Sequence, residues 1–366
     1  MPKLLYNTPV MKIEEFKYNL PKELIAQFPP RERGTSNLLV LDKENGRLED
    51  RKYYNIPDYV KKGDIIVLNE TKVLNSRTYF LTPREKRVEV LFLEELSEGE
   101  WFVLIGRAKN VNFGDILVNE ELNKEEGGIK ILVKKRKENG FIVAFQEGNP
   151  YELFEDYGHT PLPPYIDRED TVSDKERYNT VFSNVPGAVA APTASLNLTK
   201  EIIKEIKAKG AKIVTVDLRV GWGTFAPIRD EDIEEHRIHK EHIKVSEKTT
   251  FAINKTISNG GRVWAFGTTV ARTLESIAYK EKDSGKYLVK SYSGCTDLYI
   301  YPGYEWKIVD TLVTNFHMPD SSLILLVSSF AGKENIKKAY RHAIENGYKF
   351  LSYGDSMLIG DNLIKE

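Results

Sequence analysis

Leu198–Val220 reads LTKEIIKEIKAKGAKIVTVDLRV, and its two halves carry different periods. Leu198, Ile202, Ile203 and Ile206 keep a helical period, Thr199 stands where an N-cap belongs, and Gly210 closes the run. A helix is therefore expected over 198–209. Lys212–Val220 is rich in β-branched residues and reads as a strand. The same alternation continues downstream. A helix is expected over 248–259, then Gly260–Gly261 and a strand over 262–266, then helices over 268–280 and 333–346. Upstream, Leu38–Asp42 and Asp64–Asn69 are short apolar runs between turn formers, as buried strands are. Helices alternating with strands favour an α/β layer.

From about Arg77 to Phe145 the character changes. Arg87–Leu93 reads RVEVLFL, in which Val88, Val90 and Phe92 alternate with Glu89 and Leu91, and Trp101–Ile105, Ile129–Lys135 and Phe141–Phe145 are further short β-rich runs. Glycines at 99, 114, 127, 128 and 140 punctuate them, and no helical stretch intervenes. Closely spaced strands with glycine turns suit a small barrel or sandwich. The expected architecture is mixed α/β. An α/β domain is built from both ends of the chain, residues 1–75 and 151–366, with a small β-barrel domain inserted at 76–150.

Composition narrows the function classes. The 366 residues carry 53 Lys plus Arg against 54 Asp plus Glu, a formal net charge of −1. Bulk charge therefore cannot drive nucleic-acid binding, although a local basic patch can. Cys295 stands alone, which excludes an intrachain disulfide and a Cys-rich metal site and fits a reducing cytosol. The N-terminus lacks the plan of a signal peptide, and apolar runs such as Leu323–Val327 are far too short to span a bilayer. A cytoplasmic protein with no membrane partner is expected. Gly-x-Ser-x-Gly, P-loop, Cys-x-x-Cys and His-Glu-x-x-His motifs are all absent. That argues against serine hydrolases, P-loop NTPases, thiol redox enzymes and zincins.

Several short motifs can carry chemistry. Gly221-Trp222-Gly223-Thr224, after a strand, is either a tight turn or a loop that lets backbone approach a ligand. His236, His239 and His242 are spaced by three, which on a helix would place them on one side. The spacing matches no standard zinc motif and no metal is expected, so hydrogen bonding or acid–base work is the better reading. Gly267-Thr268-Thr269 joins a strand to a helix, where unpaired N–H groups either are capped by Thr268 or meet a polar ligand. Thr314-Asn315-Phe316-His317 places polar groups among apolar ones, as satisfied core groups or as a site. Lys333, Lys337 and Arg341 form a stripe along the last helix, either a solvated face or a track for a phosphate backbone.

Longer strings go further. They are Leu24–Asp42 (LIAQFPPRERGTSNLLVLD), Gly63–Arg77 (GDIIVLNETKVLNSR), Pro186–Leu198 (PGAVAAPTASLNL), Val220–Ile228 (VGWGTFAPI) and His236–Glu241 (HRIHKE). Trp264–Glu275 (WAFGTTVARTLE), Ile300–Gly332 (IYPGYEWKIVDTLVTNFHMPDSSLILLVSSFAG) and Tyr348–Ile359 (YKFLSYGDSMLI) complete the set. Together, in this order, they resemble the S-adenosylmethionine:tRNA ribosyltransferase-isomerase family of queuosine biosynthesis. The resemblance is weakest over residues 78–150.

That resemblance implies an α/β domain with an inserted β-barrel. It also implies transfer and isomerisation of the ribosyl part of S-adenosylmethionine onto a 7-aminomethyl-7-deazaguanine at the wobble position of tRNA, giving epoxyqueuosine, adenine and methionine. No cofactor is implied beyond S-adenosylmethionine, which is consumed. The chain departs from the family at Ser195-Leu196-Asn197-Leu198, where Gly-Leu-His-Phe is usual. An Asn there still hydrogen-bonds but accepts no proton at neutral pH.

The chemistry needs a base to remove the sugar C5′ proton, an acid for the departing adenine, polar groups for the sugar and aromatics for purine and sulfonium. His239 or Glu241 is expected as base, and His236 or His317 as acid. Thr224, Thr268, Thr269 and Asn315 would hold the ribose or the methionine carboxylate, at loops opened by Gly221 and Gly223. Tyr301, Trp222 and Phe225 would stack, and Arg219, Arg272 and Arg341 would meet phosphate or carboxylate. Lys333, Lys337 and Arg341 are expected against tRNA. A monomer is expected. A non-catalytic RNA-binding module and an S-adenosylmethionine-dependent tRNA methyltransferase are the competing readings.

Overall fold

The structure is a computed structural model. It describes residues 11–121, 128–137, 140–219, 221, 228, 232–238 and 240–365. By its contacts the chain divides into two compact units, one of residues 1–69, 193–216 and 223–366, the other of 70–192 and 217–222.

The first unit is built on a nine-stranded sheet. Its strands are β1 (Asn37–Asp42), β2 (Leu48–Lys52), β3 (Ile65–Asn69), β4 (Lys212–Arg219, of which Lys212–Val216 belongs to this unit) and β5 (Glu241–Val245). β6 (Val263–Phe266), β7 (Tyr292–Thr296), β8 (Thr311–Asn315) and β9 (Ser356–Gly360) complete it, in the spatial order β7-β5-β4-β3-β6-β8-β9-β1-β2. β4, β3, β6 and β8 run parallel, and β9 opposes β8. β3, β6, β8 and β9 are buried along their whole length, so their sequences are mostly apolar and lack a two-residue alternation, with polar residues at strand ends such as Asn69, Asn315 and Ser356.

Among the described residues, five helices longer than a single turn accompany the sheet: α1 (Lys200–Ala208), α2 (Glu247–Ser258), α3 (Thr268–Ser276), α4 (Ser322–Ala331) and α5 (Lys333–Glu345). Thr199 caps α1 through its hydroxyl, which accepts from the Ile202 N–H at 3.2 Å, and Ile202 and Ile206 turn inward. Ser246 caps α2 in the same way. The helix expected over 268–280 ends at Ser276. Ala278–Lys280 instead pairs with Tyr287–Val289, and a ladder of cross-strand bonds replaces the last helical turn. None of the helices among the described residues is long and apolar enough to cross a membrane.

The second unit contains a closed six-stranded barrel. In spatial order its strands are Gly140–Glu147, Glu100–Ile105, Arg87–Ser97, Arg77–Leu81, Ile116–Asn119 and Lys130–Lys137, each antiparallel to its neighbours. Val88, Val90 and Phe92 alternate into its core with Trp101, Val103, Ile131 and Val143. Leu153 and Phe154, on the helix Pro150–Asp156, fill the same core. Closure leaves no free sheet edge.

Candidate active site

In the first unit β3, β6 and β8 run parallel and finish on one edge, at Asn69, Phe266 and Asn315. β4 and β6 flank β3 on opposite sides, so the strand order reverses at the sheet's middle. In open α/β sheets, ligands bind in the crevice outside such a reversal.

Gly267 makes the turn from β6 into α3 with φ +101°, a conformation that favours glycine. Its N–H donates to the Val313 carbonyl at 2.7 Å. No side chain among the described residues caps α3. A Cβ on Gly267 would lie 3.5 Å from Thr269 Oγ1 and 3.6 Å from the Ala194 Cβ, which places the turn Thr193–Ser195 at the same mouth. Tyr53 fixes that turn by donating its hydroxyl proton to the Ala194 carbonyl at 2.6 Å.

Buried polar atoms without a hydrogen-bond partner gather here. Ser195 Oγ, Thr269 Oγ1, Asn315 Oδ1 and Ser356 Oγ are all in this state among the described residues. Ser356 opens β9 and stands opposite Asn315. An unsatisfied buried polar group costs about 1–3 kcal/mol, so several along one edge mark a place kept for a ligand or water. Asn315 is oriented by its Nδ2, which donates to the Asp355 carbonyl at 3.3 Å. The Asp355 carboxylate accepts from Asn37 N and Lys349 N, yet burial still pushes its pKa above the usual carboxylate value.

Arg272, one turn into α3, is 5% exposed. Its Nε donates to the Leu298 carbonyl at 3.1 Å and its Nη1 to Glu241, itself 5% exposed at the start of β5. Its Nη2 is buried with no hydrogen-bond partner among the described residues. Past Leu298 the chain presents Tyr299 and Tyr301, their rings 5.0 Å apart, and His236 meets the Tyr299 ring edge-on at 5.7 Å. His236 follows a short 3-10 turn in extended backbone, and His242 lies on β5. The helix on which the three histidines would share a side is therefore not formed at either of them. Among the described residues no three His, Cys, Asp or Glu side chains gather as a metal site.

His317 lies just beyond β8. Its ring Nε2 is 2.8 Å from Thr314 Oγ1, its backbone N–H donates to the Tyr340 hydroxyl at 3.0 Å, and its carbonyl accepts from Tyr18. Burial lowers its pKa to about 3, so the imidazole is neutral at pH 7. Asn197 is buried nearby in sequence to Ser195.

Lys333, Lys337 and Arg341 line one wall of a groove of about 440 Å³ between α5 and the segment Phe16–Asn19. Ile324, Ile336, Tyr340 and Ile344 give it an apolar floor. Lys333 reaches Glu15 at 2.8 Å and Lys337 reaches Glu334 at 3.7 Å, while Arg341 is exposed.

The remaining expected residues fall elsewhere. Arg219 belongs to the second unit, 3.7 Å from Asp217 and packed on Gly187, and Gly221 follows it. Trp222, Gly223, Thr224, Phe225 and His239 lie outside the described residues. Thr268, Thr269, Arg272, Glu241, Asn315, His236, Tyr301 and His317 all belong to the first unit. Sequence reasoning missed Ser195, Ser356 and Tyr299. A serine in an apolar run carries no signal of its own, and only the edge gives these three a context.

Fold and edge define a class: an α/β protein with a barrel in its chain and, among the described residues, buried unpartnered polar atoms at its sheet edge. The chain belongs to the queuosine biosynthesis protein family, whose model matches residues 13–359. It is 43% identical over 355 residues to the S-adenosylmethionine:tRNA ribosyltransferase-isomerase of Syntrophomonas wolfei, covering 96% of this chain and 98% of that one. The enzyme of that name from Treponema denticola is 44% identical, covering 95% of this chain and all of its own. The crystal structure of S-adenosylmethionine tRNA ribosyltransferase from Thermotoga maritima is 34% identical, with a TM-score of 0.52 over 94% of this chain and 99% of that one.

Proposed function

We propose that this protein transfers and isomerises the ribosyl moiety of S-adenosylmethionine onto the 7-aminomethyl-7-deazaguanine of tRNA, releasing adenine and methionine. The observation that carries the reading is near-complete coverage of both chains at 43% identity. The orphaned polar atoms along the first unit's sheet edge supply groups such a substrate needs.

A sulfonium acidifies the hydrogens on its neighbouring carbons, so a positioned base can remove one from C5′. General base catalysis contributes typically ~10²–10⁴-fold. Glu241 is held by a buried guanidinium, and so the base role goes to His239. His236, half-buried against Tyr299, is the acid. His317 is neutral at pH 7 and serves as a hydrogen-bonding partner of Thr314 in this scheme. Thr268, Thr269 and Asn315 hold the hydroxyls of the sugar or the methionine carboxylate.

The groove along α5 is the tRNA contact, with Lys333, Lys337 and Arg341 meeting phosphates. Arg341→Ala should weaken tRNA binding a few-fold and reduce the slope of log affinity against log salt by about 1.

Purified protein incubated with S-adenosylmethionine and tRNA carrying the precursor base should release adenine and methionine and form epoxyqueuosine. Recovery of S-adenosylhomocysteine would establish a methyltransferase. Tight tRNA binding with no change in the donor would establish a binding module.

A further inference from the structure

Arg272 is an unusual buried cation. Two edges of its guanidinium are fixed, Nε by the Leu298 carbonyl and Nη1 by Glu241, and the third edge at Nη2 is left without a partner among the described residues. Glu241 already balances its charge. A ligand carboxylate or phosphate at Nη2 would place a second anion on one buried cation, which is costly away from water. A neutral acceptor adds no charge. Leu298 leads directly into Tyr299 and Tyr301, whose rings lie 5.0 Å apart, with His236 edge-on to the first. A donor held by the carbonyl that leads into a pair of aromatic rings suits a flat heterocycle with a ring nitrogen as acceptor.

We infer that Arg272 holds the purine of the donor through a ring nitrogen as that purine leaves, and that Glu241 is the positioning residue that aims it. This rests on the ribosyl-transfer reading above. As the C1′–N9 bond breaks, its electron pair passes to the purine, and electrons from the sugar ring oxygen fill the vacancy at C1′. The proton the purine gains before it departs balances the one lost from C5′. The protonated purine is thereby discharged to neutral adenine, and electron density rises on its unprotonated ring nitrogens as the bond breaks, where a fixed donor acts most strongly.

The test compares S-adenosylmethionine with its 1-, 3- and 7-deaza analogues, in which one ring nitrogen becomes C–H. With the wild-type enzyme, one analogue should lose roughly 10²–10³-fold in kcat. The double variant Glu241→Gln/Arg272→Met, which strands no buried charge, should lose a similar factor with the natural donor and little more with that analogue. Glu241→Gln alone should lower kcat roughly 10–100-fold with KM nearly unchanged. If the double variant does not fold, Arg272→Lys, which keeps the charge and loses the planar fork, takes its place in the same comparison. Penalties that multiply for all three analogues, or a variant at wild-type rate, overturn the assignment. A wild-type enzyme that releases no adenine from the natural donor would instead overturn the ribosyl-transfer reading itself.

Discussion

The two ends of one sheet treat buried charge in opposite ways. At the edge where β3 and β6 begin, Asp64 is 2% exposed and accepts from Lys61 N at 2.9 Å, Arg262 Nη2 at 2.6 Å, Arg262 Nε at 3.2 Å and Trp264 Nε1 at 3.1 Å. Arg262 also donates to the Tyr59 carbonyl at 2.8 Å and lies over the Trp264 ring. At the edge where the same strands end, the Arg272–Glu241 pair keeps one nitrogen without a partner among the described residues, and Thr269, Asn315, Ser195 and Ser356 each keep such an oxygen. Nothing in the amino-acid types separates the two pairs. A saturated network is worth most to the fold, whereas a set of unmet buried groups costs stability and is retained where a ligand completes it.

The contrast can be broken by experiment. Asp64→Ala leaves the half-buried Arg262 guanidinium and the buried Trp264 Nε1 without their acceptor, and the expected loss is about 3 kcal/mol in denaturant unfolding, with turnover per folded molecule unchanged. An equal loss of turnover would erase the distinction between the edges. Asn315→Ala should reverse the pattern. Removing an oxygen that bonds nothing among the described residues should cost about 1 kcal/mol of stability, mostly from the lost bond to Asp355, and roughly 10²-fold in kcat/KM.

His317→Gln sharpens the contrast through pH. The folded imidazole titrates at about 3, below its ordinary 6.5, so between those values the unfolded chain binds a proton that the folded chain refuses. Stability therefore falls as pH drops from about 6.5 toward 3 and gains nothing from this group above 6.5. The variant should flatten that part of the stability curve by up to about 1.4 kcal/mol per pH unit, read as Tm against pH. An unchanged curve would show that His317 titrates normally.

Much of the fold was legible because the signals are local. Thr199 and Gly210 bracket α1 as capping chemistry requires, and Val88, Val90 and Phe92 announced the barrel's inward face by alternation. The boundary of α3 was not legible, because the pairing of Ala278 with Val289 lies outside any helical window. α4 was visible only as an apolar stretch, since a helix buried nearly all round has no polar face to set its period. Of the candidate site, Thr269, Arg272 and Asn315 were found through motif position, whereas Ser195 and Ser356 were not.

By itself the sequence determined the alternation of helices and strands, the barrel within the chain and, through ordered strings along almost its whole length, the family. Those properties are written in neighbouring residues, where propensity, capping and periodicity act. Only the tertiary structure decided that Glu241 is tied to an arginine, that His317 is neutral, and that four oxygens without a partner among the described residues share one edge. Each depends on burial and on partners far away along the chain, and no local pattern encodes which polar groups folding leaves unmet.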